Sequence, residues 1–131
     1  MLKRLSALCA CLAVGALGFA SQALSATPAT DHCFLSRDWE GWKSPSPNVI
    51  YLRVGVSRIF QLDLSAGSNQ LQDADVHLIN KVRGSDWICD PIDLDLQVAD
   101  THGGFREPLI VKSIKRLTPE QIAAIPKRDL P

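Results

Sequence analysis

Two cysteines, Cys33 and Cys89, are all that the mature form of this chain carries once its first 26 residues are read as an export signal. Lys3 and Arg4 make a short cationic start, Leu5 to Phe19 an apolar stretch, and small residues run from Ala20 to Ala26. The apolar run falls short of the roughly 18 to 20 residues that cross a bilayer and grades into Ser21, Gln22 and Ser25. No membrane span is therefore expected after cleavage. Ser21-Gln22-Ala23 and Ala23-Leu24-Ser25 both satisfy the small-x-small rule, which brackets the new N-terminus between Leu24 and Thr27. Leu8-Cys9-Ala10-Cys11 has the outline of a lipoprotein box, but the apolar region follows that cysteine when it should precede it. The expected location is the periplasm, or the medium beyond it. In an oxidising compartment an even cysteine pair reads as a disulfide in preference to a metal site or a nucleophile. Closing a loop of roughly 57 residues is worth roughly 4 kcal/mol in the chain-entropy model, a large share of a small domain's stability.

Lys3 and Arg4 leave with the signal, so twelve Lys and Arg face fourteen Asp and Glu, a formal charge near −2. No basic excess steers the chain to nucleic acid or anionic lipid. The remaining roughly 105 residues suit one domain with a modest core. Residues 27–30 read as a flexible lead-in, 31–126 as a single β-rich domain and 127–131 as a tail.

Asn48 to Val54 alternates, with Ile50, Leu52 and Val54 on one side and Val49, Tyr51 and Arg53 on the other. Arg58 to Leu64 continues the pattern with Ile59, Phe60, Leu62 and Leu64, and the short Gly55 to Ser57 connection predicts a hairpin. Residues 71–82 carry too few apolar side chains to separate strand from short helix. Trp87 to Cys89 begins another apolar patch. Leu94, Leu96 and Val98 alternate with Asp93, Asp95 and Gln97, the pattern of a half-buried strand with its acids in solvent. Thr101 to Gly104 is a turn, and Leu109 to Leu117 reads as the last strand. Thr118-Pro119-Glu120-Gln121 is a capping box with proline at the first helical position, and Pro126 ends the helix it opens by Ile125. The expected fold is all-β, with α+β as the alternative: a small antiparallel barrel or sandwich of about five to seven short strands with a short C-terminal helix.

The acidic residues Asp86, Asp90, Asp93 and Asp95 offer oxygens of the kind calcium takes, but lack the D-x-D-x-D-G ladder of a calcium loop. A solvated strand edge that resists aggregation is the preferred reading. His32, His77 and His102 show no ligand spacing; His32 beside Cys33 supplies two metal ligands only if the thiol escapes a disulfide. Gly55-Val56-Ser57-Arg58-Ile59 lacks the closing glycine of a nucleophile elbow and lies between strands. No G-x-G-x-x-G, phosphate loop or C-x-x-C is present. No catalytic residue, metal or cofactor is implied. Trp39 and Trp42 are the candidate binding surface: exposed, the two indoles would form a platform for a sugar ring or a peptide. Core packing is the competing use of large aromatics in a small domain, and the neighbouring Arg37 and Asp38 read as a solvated turn.

Cys33-Phe34, Arg37-Asp38, Gly41-Trp42, the Tyr51 strand, Phe60-Gln61-Leu62, Ile88-Cys89-Asp90 and Ile114-Lys115-Arg116-Leu117-Thr118 come in an order that resembles a family of small exported proteobacterial proteins of unknown function. The resemblance runs from Asp31 to about Ile125. Its pattern often carries two further cysteines, one in the central turn and one before the final strand, where this chain has Ser68 to Leu71 and Glu107 to Leu109. Their joint absence is what the resemblance implies if those two pair with each other and Cys33 pairs with Cys89. The resemblance implies location, fold and disulfide, and no reaction.

Three functional readings follow. The first is a non-enzymatic envelope protein that binds a ligand or partner or plays a structural part. The second is an inhibitor or adaptor docking on an envelope enzyme through Trp39 and Trp42. The third is a hydrolase using His77 or His102 with an aspartate. Burial of the tryptophans and convergence of a histidine with a carboxylate separate them.

Overall fold

The computed structural model describes residues 31–131; the segments read as an export signal and as a lead-in at 27–30 lie outside the described residues. Strands follow the chain as β1 (Phe34–Leu35), β2 (Trp39–Ser46), β3 (Val49–Val54), β4 (Arg58–Leu64), β5 (Val76–Asn80), β6 (Trp87–Ile88), β7 (Leu96–Asp100), β8 (Arg106–Leu109) and β9 (Val111–Arg116), and the helix α1 (Pro119–Ala123) comes after them. They form a four-stranded sheet in the order β2-β3-β4-β9, a three-stranded sheet in the order β5-β7-β8, and a two-stranded ribbon of β1 and β6, all antiparallel. The fold is all-β and sandwich-like, and among the described residues no sheet closes into a barrel.

The β3–β4 hairpin forms where the alternation predicts it, in unbroken register from Val49↔Asp63 to Val54↔Arg58. Gly55 opens its loop at φ +60, a left-handed conformation that a Cβ disfavours. One side of this hairpin supplies Ile50, Leu52, Val54, Phe60, Leu62 and Leu64, all buried, and they meet Leu96 and Val98 from the second sheet. The outer side is mixed, with Val49, Tyr51 and the buried Ile59 beside Arg53, Gln61 and Asp63. There Asp63 accepts hydrogen bonds from Ser113 Oγ at 2.6 Å and Gln61 Nε2 at 2.7 Å. The Ser113 hydrogen bond, more than the Gln61 bond or the nearby Lys115, holds the Asp63 carboxyl below its ordinary value.

Cys33 and Cys89 are bonded, with Cα atoms 4.3 Å apart. They extend the register of the ribbon, in which Phe34 lies opposite Ile88 and Leu35 opposite Trp87. Ser36 N donates to Asp86 O at 2.8 Å, which makes Ser36 and Asp86 a hydrogen-bonded pair. By period two, Cys33 and Cys89 then occupy a non-hydrogen-bonded pair, where facing residues approach most closely. The disulfide ties the start of the domain to its middle, and the ribbon sends Phe34 and Ile88 into the core. Phe34 meets Phe60 with ring centroids 4.7 Å apart.

The structure revises several details. Residues 71–82 hold a 3-10 turn ending at Gln72 and then the strand β5, not a helix. The last strand is two strands, β8 and β9, broken at the exposed Ile110. β2, with its glycine and proline, has no clean alternation, yet it pairs along β3. The strand holding Leu96 and Val98 starts at Leu96, because Pro91–Asp93 forms a 3-10 turn ahead of it. The capping box forms as read: Thr118 N donates to Gln121 Oε1 at 2.9 Å and Gln121 N to Thr118 Oγ1 at 3.3 Å. After α1, Lys127–Asp129 makes one further 3-10 turn.

Candidate functional site

Trp39 and Trp42 are three residues apart, a spacing that puts two side chains on opposite faces of a regular strand. A bulge reverses this. Trp39 pairs with Val54 and Gly41 with Arg53, so β2 carries one extra residue, Glu40, against β3. Trp42 then falls opposite Leu52. Val54 and Leu52 both point into the core, so both indoles lie on that same side. Each is half-buried and packs against the core, and Trp39 Nε1 donates to Gly41 O at 3.0 Å. Core packing thus takes one side of each indole and leaves the other side open.

The open side of the two indoles lines a groove of about 400 Å³ between the edge strands β2 and β5, walled by Leu78 and Val82 with Arg37, Glu40 and His77 at its rim. A second groove of about 460 Å³, lined by Lys43, Leu71, Val76 and Asp129, meets the first at Trp42. Together they form a trench along the gap between the sheets. Asn80 lines the first groove: its Oδ1 accepts from Asp95 N at 3.1 Å, while its buried Nδ2 has no hydrogen-bond partner among the described residues. The third tryptophan, Trp87, lies on the ribbon and is 47% exposed.

The acidic residues do not form the solvated strand face expected of them. Asp93 stands in the 3-10 turn, where its Oδ2 accepts the backbone N–H groups of Cys89 and Asp90, each at 2.9 Å. Asp95 pairs with Arg83, whose Nη2 lies 2.6 Å from Oδ2. Both acids are committed to local structure. The Asp90 N–H, and next the Cys89 N–H, hold the Asp93 carboxyl below the ordinary aspartate value of 3.8. Folded protein therefore takes up this proton less readily than the unfolded chain. The stabilisation is complete above that ordinary value and is lost as pH falls through the lower folded one. Asp93→Ala should cost about 1 kcal/mol at pH 7, and the cost should shrink in urea titrations carried below pH 4. A pH-independent cost would contradict this role.

The histidines lie apart. His77 sits on β5 at the groove, and His102 in the β7–β8 turn with Nδ1 3.6 Å from Asp100 Oδ1. Asp100 is spent on the turn itself, accepting the N–H groups of His102 and Gly104, and the first of these chiefly lowers its pKa. Thr101 Oγ1 lies 3.3 Å from His102 Nδ1 and donates to Asp75 O at 3.1 Å. His102 is 81% exposed, so this pair lacks the enclosure that excludes water. His32 comes within 4.8 Å of both cysteine sulfurs, but the disulfide removes the thiolates that a soft metal would need. A scan against protein-family models, a search of curated proteins and a search of solved structures each return no match.

Proposed function

We propose that this chain is an exported, non-enzymatic binding domain of the cell envelope, and that its site is the Trp39/Trp42 groove. The observation that carries this reading is the bulge at Glu40, which aligns two half-buried indoles along an open groove with a charged rim. Aromatic side chains held in place by a core give a partner rigid contact area at little entropic cost. The reading joins the envelope-binding role to the inhibitor or adaptor role, since a groove open along its length accepts a segment of a partner protein as readily as a small ligand. A hydrolase draws less support, because the His102–Asp100 pair lies in an exposed turn.

The bonded cysteines are consistent with an oxidising location. The resemblance to small exported proteobacterial proteins draws support from Ser68, which is buried and donates to Glu107 Oε2 at 2.9 Å. The two segments where that resemblance places further cysteines are therefore neighbours, linked here by a hydrogen bond.

A photo-crosslinking amino acid at Glu40, on the groove rim, should yield a discrete adduct in intact cells. The adduct should fractionate with the periplasm and begin between Leu24 and Thr27. The same probe at Lys112, exposed on β9, should yield none. Equal labelling from both positions, or an adduct that keeps Met1, would overturn the reading.

A further inference from the structure

Among the described residues the two sheets present four edge strands, β2, β9, β5 and β8, and edges left bare invite pairing with another chain. Three of them carry the features that prevent it. β2 is interrupted by two register shifts and holds Glu40, Lys43 and Pro45. β9 carries Lys112, Lys115 and Arg116, and β8 carries Arg106, Glu107 and Pro108. β5 has none of these. Its sequence, Val76-His77-Leu78-Ile79-Asn80, is free of charge and proline, and its register with β7 is unbroken. This edge borders the trench that Trp39 and Trp42 wall from the other side.

The backbone groups that β5 offers follow from its register. Thr101 N donates to Asp75 O and Lys81 N to Asp95 O, which marks those residues as hydrogen-bonded pairs at the two ends of the strand. By alternation His77 and Ile79 bond to β7, while Val76, Leu78 and Asn80 turn their N–H and C=O groups toward the trench. We propose that an extended segment of a partner protein adds to β5 as a further antiparallel or parallel strand, seated between β5 and the two tryptophans. The backbone of the segment bonds to Val76, Leu78 and Asn80. Its alternate side chains, apolar ones, lie against Trp39, Trp42 and Leu78. Asn80 Nδ2, buried and without a partner among the described residues, adds a donor at the same edge. A free extended segment enters a groove of about 400 Å³ as a single strand, whereas a second copy of this chain would have to bring its β5 with β7 and β8 behind it.

This inference rests on the groove being a binding site, and the experiment keeps the two separable. The probe is a heptapeptide of alternating threonine and valine with a lysine at each end, added to isotope-labelled mature protein followed by amide hydrogen exchange. At saturating peptide, exchange at Val76, Leu78 and Asn80 should slow at least tenfold, while His77 and Ile79, already bonded to β7, stay unchanged. His77→Lys, which puts a charge on the bare edge, should abolish this protection without moving the thermal unfolding midpoint. Indole shifts at Trp39 and Trp42 with no alternate-residue protection would overturn strand addition and leave the groove reading in place. Protection of β5 that rises with protein concentration in the absence of peptide would overturn it in favour of self-pairing. No response to millimolar peptide would overturn it outright.

Discussion

Replacing Cys33 and Cys89 together with serine should destabilise the folded domain by about 4 kcal/mol, the chain-entropy value for a bond joining residues 56 apart in sequence. For a domain of this size that is a large part of the total. The effect has a definite route. The bond extends a ribbon whose own strands are two residues each, too short to hold together unaided. That ribbon places Phe34 and Ile88 in the core. Urea unfolding of the wild type and the double variant, at equal protein concentration, gives the difference directly. A loss under about 1 kcal/mol would mean that the unfolded chain is already compact near these residues, and that the bond does not anchor the ribbon as argued.

Phe60→Ala should cost a similar amount, about 3 to 5 kcal/mol. Phe60 is fully buried, stands opposite Leu52 in the ladder and meets the ring of Phe34. Its removal leaves a cavity at the point where the hairpin, the ribbon and the second sheet meet. Ile92, by contrast, is 90% exposed, and Ile92→Ala should stay within about 0.5 kcal/mol. The two large effects should not add. Phe34 follows Cys33 directly and touches Phe60, so the triple variant should lose less than the sum, with an interaction energy of at least about 0.5 kcal/mol. Strict additivity would show that the ribbon and the hairpin fold into the core independently.

The groove was half legible in advance. Trp39 and Trp42 stand out in a domain with few aromatics, and their chemistry suggests contact with a partner. Their spacing argues against a common face, because period two separates residues three apart; only the extra residue at Glu40 brings them together. Nothing in Trp-Glu-Gly-Trp announces a bulge apart from the glycine. His77, Leu78 and Val82, which complete the groove, come from a segment too poor in apolar residues to declare its own structure. The acidic residues misled for a related reason. Leu94, Leu96 and Val98 alternate well enough to suggest a strand from Asp93 onward, yet Pro91 and the carboxylate of Asp93 favour a tight turn, and that local hydrogen bonding prevails until Leu96.

The sequence by itself determined the β-rich class, the β3–β4 hairpin, the capped C-terminal helix and the pairing of Cys33 with Cys89. Each of these rests on a short-range signal, or, for the cysteines, on the single pair that remains when residues 1–26 are read as a signal. Alternation over six or seven residues, a glycine free to adopt positive φ, and a threonine three residues before a glutamine act within one or two turns of chain. Tertiary structure alone decided the sandwich-like arrangement in place of a barrel, the division of the last β segment at Ile110, and the recruitment of β2 and β8 as edges. Edge strands bond on one side only and tolerate proline, charge and irregular spacing, so their sequences carry little of the alternation that marks a central strand. The trench lies between the irregular edge β2 and the short edge β5, whose five residues declare no period of their own, and it became visible only when the sheets that carry them were packed.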